Sequence, residues 1–211
     1  ISLSSQELYW YDVILEVDGT NSDEFEETVD TYYSSVDFPE GVNMSFSSIN
    51  LKGQGFKETH ILSFVSPSSQ SLANLRASLS GEKWENYLDL VGPFVENVRV
   101  SAGNATQVYN AEQFYPIGQV WSFKVKSKHV PQFSQAFAKL MQTFEAPGFV
   151  GLANVTHGIS NGENLLIYGT YPNLNSAFTF GPKNENEVKA FSVFNDLVGD
   201  ISEFTQSWTR V

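Results

Sequence analysis

Cysteine is absent from all 211 residues. Disulfides, thiolate nucleophiles and thiolate metal sites are excluded with it. The absence does not fix a compartment, because a chain with an adequate core needs no covalent staple. Positive charge is also scarce: 12 Lys and Arg stand against 24 Asp and Glu, for a formal net charge of −12. A nucleic-acid partner asks for a basic face to displace counterions, and an anionic membrane surface asks for the same. Neither partner is expected. No apolar run approaches the roughly 20 residues of a membrane span, so no membrane insertion is expected either. Only three histidines occur, His60, His129 and His157, with no HxxxH or HxH spacing among them. Neither a metal nor a cofactor is therefore expected. The Gly-x-Ser-x-Gly elbow is missing too. The glycine-rich stretches 53–55 and 158–162 run from strand to strand, and a phosphate cradle must open into a helix. They read as hairpin turns.

What the chain has in quantity is apolar bulk, with 41% hydrophobic and 14% aromatic residues. That is enough for one large core or two small ones. Asn, Ser and Thr are so frequent that the sequons at Asn43, Asn104 and Asn154 carry little weight. A start at Ile1 instead of Met, together with acidity and no cysteine, gives the expectation of an exported protein, secreted or periplasmic.

The strongest signal is an internal repeat at an offset of about 108 residues. Phe25, Val29, Tyr32, Tyr33 and Val36 recur with the same spacing as Phe133, Phe137, Leu140, Met141 and Phe144. Both sets trace the apolar stripe of an amphipathic helix. Pro39 and Pro147 follow at the same distance, and Asp-Leu-Val-Gly appears at 89–92 and again at 196–199. Around these markers each half reads strand, helix, strand, strand, helix, strand.

First strands are predicted over 9–17 and 120–125. The helix after the first carries a capping-box spacing, Asn21 to Glu24, and the second copy places Pro131 at its first helical turn. His129, just before that turn, is expected to cap it. Hairpins are predicted over 42–66 and 149–171. A second helical region over 68–91, broken near Ser80-Gly81, has Trp84, Tyr87, Leu88 and Val91 inward. Its counterpart over 185–198 has Val188, Phe191, Phe194 and Val198 inward. Last strands are predicted over 94–100 and 201–211, with 101–118 as linker.

This order twice over is an α+β fold of two tandem ferredoxin-like βαββαβ repeats, residues 1–108 and 109–211. Such a unit covers one sheet face with helices and leaves the other bare, and the bare face needs a partner. On these markers the chain resembles the dimeric α/β-barrel superfamily, in fused form, and uncharacterised tandem proteins of that kind. The resemblance implies two sheets packed as a pseudo-dimeric α/β barrel. Members of that superfamily include cofactor-free monooxygenases and isomerases, whose pockets are apolar with a few polar groups.

Alternation in the first strand separates Tyr11, Val13 and Leu15 from Trp10, Asp12, Ile14 and Glu16. The second copy opposes Trp121, Phe123 and Val125 to Val120, Ser122, Lys124 and Lys126. This contrast allows three readings: acid in one half meets base in the other across packed sheets, the residues line a pocket, or they face solvent without a partner. Trp10, Asp12, His60, Trp121, Lys124 and Tyr168 are the candidate cleft residues. The crowd of Asp23, Glu24, Glu26, Glu27 and Asp30 reads as a solvated helix face.

Two functions follow. The first is a non-catalytic, exported module that binds a ligand or assembles with itself through a bare face, a free edge strand, or the segment Ile1–Leu8. The second is a cofactor-free monooxygenase-like or isomerase-like enzyme, or a carrier, holding a small apolar ligand in the cleft between repeats.

Overall fold

The alternating strands close on themselves. In the computed structural model, which describes residues 7–20 and 22–211, eight antiparallel strands form one ring. The first repeat supplies β1 (Leu8–Val17), β2 (Asn43–Lys52), β3 (His60–Ser66) and β4 (Val95–Tyr109). The second supplies β5 (Ile117–Val125), β6 (Val150–His157), β7 (Leu165–Tyr171) and β8 (Ser202–Arg210). Around the ring they run β1-β3-β2-β8-β5-β7-β6-β4, and β4 pairs back onto β1. Each repeat therefore keeps the ferredoxin-like order 4-1-3-2. The seams are β2 against β8 and β4 against β6.

Closure corrects two expectations. Among the described residues no strand keeps a wholly free edge for another chain, since the two outer strands of each sheet are used at the seams; stretches of β2 (43–48), β8 (202–207) and β4 (95–101) run beyond the seam pairing. The predicted linker 101–118 is mostly strand as well. β4 continues to Tyr109 because Ala102–Tyr109 find partners on β6 of the other repeat, and the connection shrinks to 110–116.

Helices lie outside the ring: α1 (Ser22–Tyr33), α2 (Ser69–Ser78) and α3 (Glu82–Val91) on the first repeat, α4 (Val130–Met141), α5 (Leu174–Phe178) and α6 (Glu185–Ile201) on the second. The repeated stripe is what they bury. Phe25, Val29 and Tyr33 pack under α1, and Phe133, Phe137, Leu140 and Met141 under α4. Gly81 breaks α2 from α3 with φ 79°, a conformation that suits glycine. Pro131 does sit in the first turn of α4, but the His129 side chain makes no capping bond. The capping-box reading at Asn21 and most of the segment Ile1–Leu8 lie outside the described residues. Leu88 and Val188, expected inward, are exposed at 45% and 53%. Their helices pack along a narrower stripe: Tyr87 and Val91 on α3, Phe194 and Val198 on α6.

A third cluster fills the ring itself, where Ile14, Ile49, Ile61, Val120 and Trp208 meet. Replacing fully buried Phe25 by Ala is expected to cost about 3–5 kcal/mol in urea denaturation. Val188→Ala on the exposed face is expected to stay within about 0.5 kcal/mol. Equal costs at the two sites would contradict this assignment of helix faces.

Candidate functional site

The polar exceptions to the ring's apolar filling gather at one end of it. Strand alternation turns Trp10 and Asp12 of β1 inward, in register with Gly103 of β4 and Ser63 of β3. The Ser63 hydroxyl donates to Asp12 Oδ1. Burial away from water pushes the Asp12 carboxyl up from 3.8 to about 6, against the smaller opposing pull of Ser63, Arg210 and Arg99.

The second repeat contributes the facing groups. Tyr168 of β7 accepts from Arg210 Nε at 3.1 Å and Nη2 at 2.7 Å. Burial raises the Tyr168 phenol, with the Arg210 guanidinium pulling the other way. Arg210, the last residue of β8, is only 4% exposed. Its Nη1 donates to Ser47 Oγ at 2.8 Å and to the Pro116 carbonyl at 3.1 Å, so it ties β2, β7, β8 and the inter-repeat connection together. The Phe114 ring lies 5.9 Å from the guanidinium.

Two glycines make the arrangement possible. A Cβ at Gly118 would sit 2.4 Å from the Tyr168 hydroxyl and 2.7 Å from Arg210 Nε. One at Gly103 would meet the Asn154 carbonyl at 1.8 Å and the Trp10 ring at 2.8 Å. Trp10 fits only against a bare backbone, and its buried indole N–H has no partner among the described residues. A buried unsatisfied donor is costly, and it marks a place where a ligand atom or water is wanted.

Together these groups line a chamber of about 80 Å³. Leu8, Ser45, Val65, Phe114 and Phe149 border both this chamber and a recess of about 440 Å³ at the mouth of the ring. At the far end the Arg99 guanidinium bridges Glu58 at 3.2 Å and Glu163 at 3.9 Å.

Of the six candidates read from the sequence, the fold brings Trp10, Asp12 and Tyr168 together. His60 points the other way, under α1, and is buried. Its Nε2 lies 2.9 Å from Glu26 Oε1 and its Nδ1 2.8 Å from Thr59 Oγ1, with Phe25 and Phe46 beside the ring. Trp121 is on the outer face of β5, packed on Phe180. There it lines a separate apolar hollow of about 170 Å³ between the second sheet and its helices. Lys124 is exposed and pairs with Glu203 at 3.6 Å. Asp12 thus faces Arg210 across the repeats, not Lys124. Arg210, Ser63 and Gly118 were missed. The phase of the last strand carried the signal for Arg210, since an inward Trp208 forces Arg210 inward two residues later. Among the described residues no group of three or more His, Asp or Glu could hold a metal ion.

No protein-family model matches the sequence, and no curated protein matches it. Solved structures match the fold. A protein from Fusobacterium nucleatum described as a "putative monooxygenase" shares 13% identity over 99% of this chain and 94% of its own, with a TM-score of 0.69. One from Lactobacillus acidophilus with the same description shares 13% over 97% and 93%, with a TM-score of 0.64. A mutant chlorite dismutase from Candidatus Nitrospira defluvii shares 10% over 97% and 91%, with a TM-score of 0.57. At these identities the likeness is one of fold: a fused, tandem ferredoxin-like α/β barrel.

Asp12 gives a stability test. Its native carboxyl holds a proton more tightly than the unfolded chain does, so folding loses stability as pH rises from about 4 to about 6. The gap between 3.8 and about 6 corresponds to about 3 kcal/mol. Asp12→Asn is therefore expected to stabilise the protein by about 1–3 kcal/mol at pH 8 and by nothing at pH 4, read from urea midpoints at both pH values. Gly118→Ala is expected to destabilise at both, because no Cβ fits between Tyr168 and Arg210.

Proposed function

We propose that the chain binds a small organic molecule in the ring chamber and acts on it by proton transfer at Asp12, as a cofactor-free enzyme of monooxygenase or isomerase type. The observation that carries this reading is Asp12 itself: a buried carboxyl, raised to about 6, set in an apolar chamber beside an unpartnered indole N–H. A catalytic acid or base works best when its pKa lies near the operating pH, and burial is the usual means of bringing a carboxyl there.

The chemistry is short. Asp12 takes a proton from a carbon or hydroxyl next to a carbonyl, and the negative charge moves to the substrate oxygen. Arg210, Tyr168 and Trp10 supply donors for that charge in a site from which water is largely excluded. An isomerase then returns the proton to a different atom. In a monooxygenase the substrate carbanion is itself the reductant: its carbon bonds to one atom of dioxygen, the O–O bond breaks as that carbon becomes a carbonyl, and the second oxygen leaves as water with the two hydrogens the carbon has lost. The names of the two bacterial fold neighbours support the second outcome by analogy alone.

Native mass spectrometry on protein from its own source, paired with a denatured spectrum, tests the enzyme reading. An added small-molecule mass that leaves on denaturation is the expected result. With that molecule as substrate, Asp12→Asn should retain binding and lose turnover by about 100-fold or more. Full turnover in Asp12→Asn would remove Asp12 from the chemistry. Integer multiples of the chain mass with no small molecule would favour self-association instead.

A further inference from the structure

We infer that the ligand of the ring chamber is a small organic monoanion, most simply a monocarboxylate, whose charged head meets Arg210 and whose apolar body occupies the mouth recess. This rests on the reading of the chamber as a ligand site and adds the class of molecule it takes.

Arg210 is the starting point. The residue is buried, yet every hydrogen-bond partner of its guanidinium is neutral: two hydroxyls and a carbonyl. No ion pair joins it to a carboxylate among the described residues. A buried guanidinium whose direct partners are all neutral, with the Asp12 carboxyl facing it but out of contact, is incompletely compensated, and an anion in direct contact lowers that cost. A guanidinium has five N–H donors. Four hydrogen bonds use one at Nε, two at Nη1 and one at Nη2, so one Nη2 donor is left over.

The neighbouring groups are also donors in surplus. Trp10 Nε1 is buried and unpartnered. The Tyr168 oxygen accepts twice from Arg210, while its own proton meets no acceptor among the described residues. Three unused donors on residues that line one chamber, one of them on a buried guanidinium, are the complement of a carboxylate, and a neutral apolar ligand would leave all three unsatisfied.

Size and charge at the mouth narrow the class. A cavity of about 150 Å³ is what holds one benzene ring, so a chamber of about 80 Å³ takes a head group and not a whole aryl or acyl body. The body then lies in the 440 Å³ recess, against Met44, Val65, Val108 and Phe149. Glu112 borders that recess and repels a second negative charge, which selects a monoanion over a diacid.

Among the described residues Asp12 is the one carboxyl lining the chamber beside the head. The charged or titratable groups facing it are Arg210 from β8, Tyr168 from β7 and Arg99 from β4, while β3 presents the Ser63 hydroxyl and β2 that of Ser45. Protonating Asp12 removes its repulsion, so an anion should bind more tightly as pH falls through the range where Asp12 takes up its proton.

Isothermal titration calorimetry on the whole chain tests this with three probes of one shape: benzoate, benzenesulfonate (ionised throughout) and neutral benzamide. Both anions are expected to bind at least tenfold more tightly than benzamide at pH 8. Benzenesulfonate should gain several-fold more at pH 5.5, and Asp12→Asn should abolish that gain. Arg210→Met should erase the preference for anions. Should that variant fail to fold, Trp10→Phe supplies the second measurement, with an expected several-fold loss for the anions and none for benzamide. Benzamide binding as tightly as the anions would overturn the monoanion inference and leave the chamber standing as a ligand site. Failure of all three probes to bind would overturn the chamber reading together with it.

Discussion

Everything in this molecule follows from the need to cover the bare face of a four-stranded sheet. One ferredoxin-like unit can bury the helix side of its sheet with a repeated stripe such as Phe25, Val29 and Tyr33, but its other face carries apolar residues with nothing above them. Duplication supplies a second sheet with the same problem. Pairing β2 to β8 and β4 to β6 solves both at once, because it satisfies the outer backbone groups and encloses Ile14, Ile61, Val120 and Trp208 in one cluster.

A ring of eight strands has little interior, so each inward position competes for space. Where bulky Trp10 points in, β4 has Gly103 opposite; where Tyr168 meets Arg210, β5 has Gly118. Serines 45, 47 and 63 line the same end and provide hydroxyls at small volume. The space not filled is the chamber. Its low polarity raises the Asp12 carboxyl and also makes the Arg210 cation, held only by neutral hydrogen-bond partners, costly, so one physical condition accounts for both features of the site.

The two halves have diverged around this shared architecture. The first gives the acid, its serine and the unpartnered indole, and the second gives the tyrosine and the arginine. The site therefore belongs to neither repeat alone. Outside the ring the divergence is one of packing: Tyr32 stacks on Tyr87 at 4.1 Å under the first helix layer, whereas the second retains the hollow beside Trp121 and Phe180. The absence of a familiar catalytic motif favoured a non-catalytic module on sequence grounds. The proposed chemistry rests instead on a buried, titratable carboxyl beside unused donors, because such groups are costly to fold.

Periodicity alone determined a good deal. Helix and strand repeat differently, so the stripes at 25–36 and 133–144, the alternation around Trp10 and Asp12, and the break at Gly81 could be read from local spacing. Duplication followed from matched spacing, and the need for a facing sheet followed from the bare face. Spacing does not say which side of a strand is inside. His60 and Trp121 were grouped with Trp10 and Asp12, and the fold put them on the helix side, where Glu26 and Phe180 receive them. Nor does spacing see partners distant in sequence. Residues 101–109 look like a polar linker until β6 pairs with them, and Arg210 is one more residue of a predicted last strand until Tyr168, Ser47 and Pro116 surround it. The sequence determined the pieces and their periods, because those depend on neighbours within a few residues. Only the tertiary structure decided the seams, the inward face and the site, because each depends on contacts between residues up to 163 positions apart.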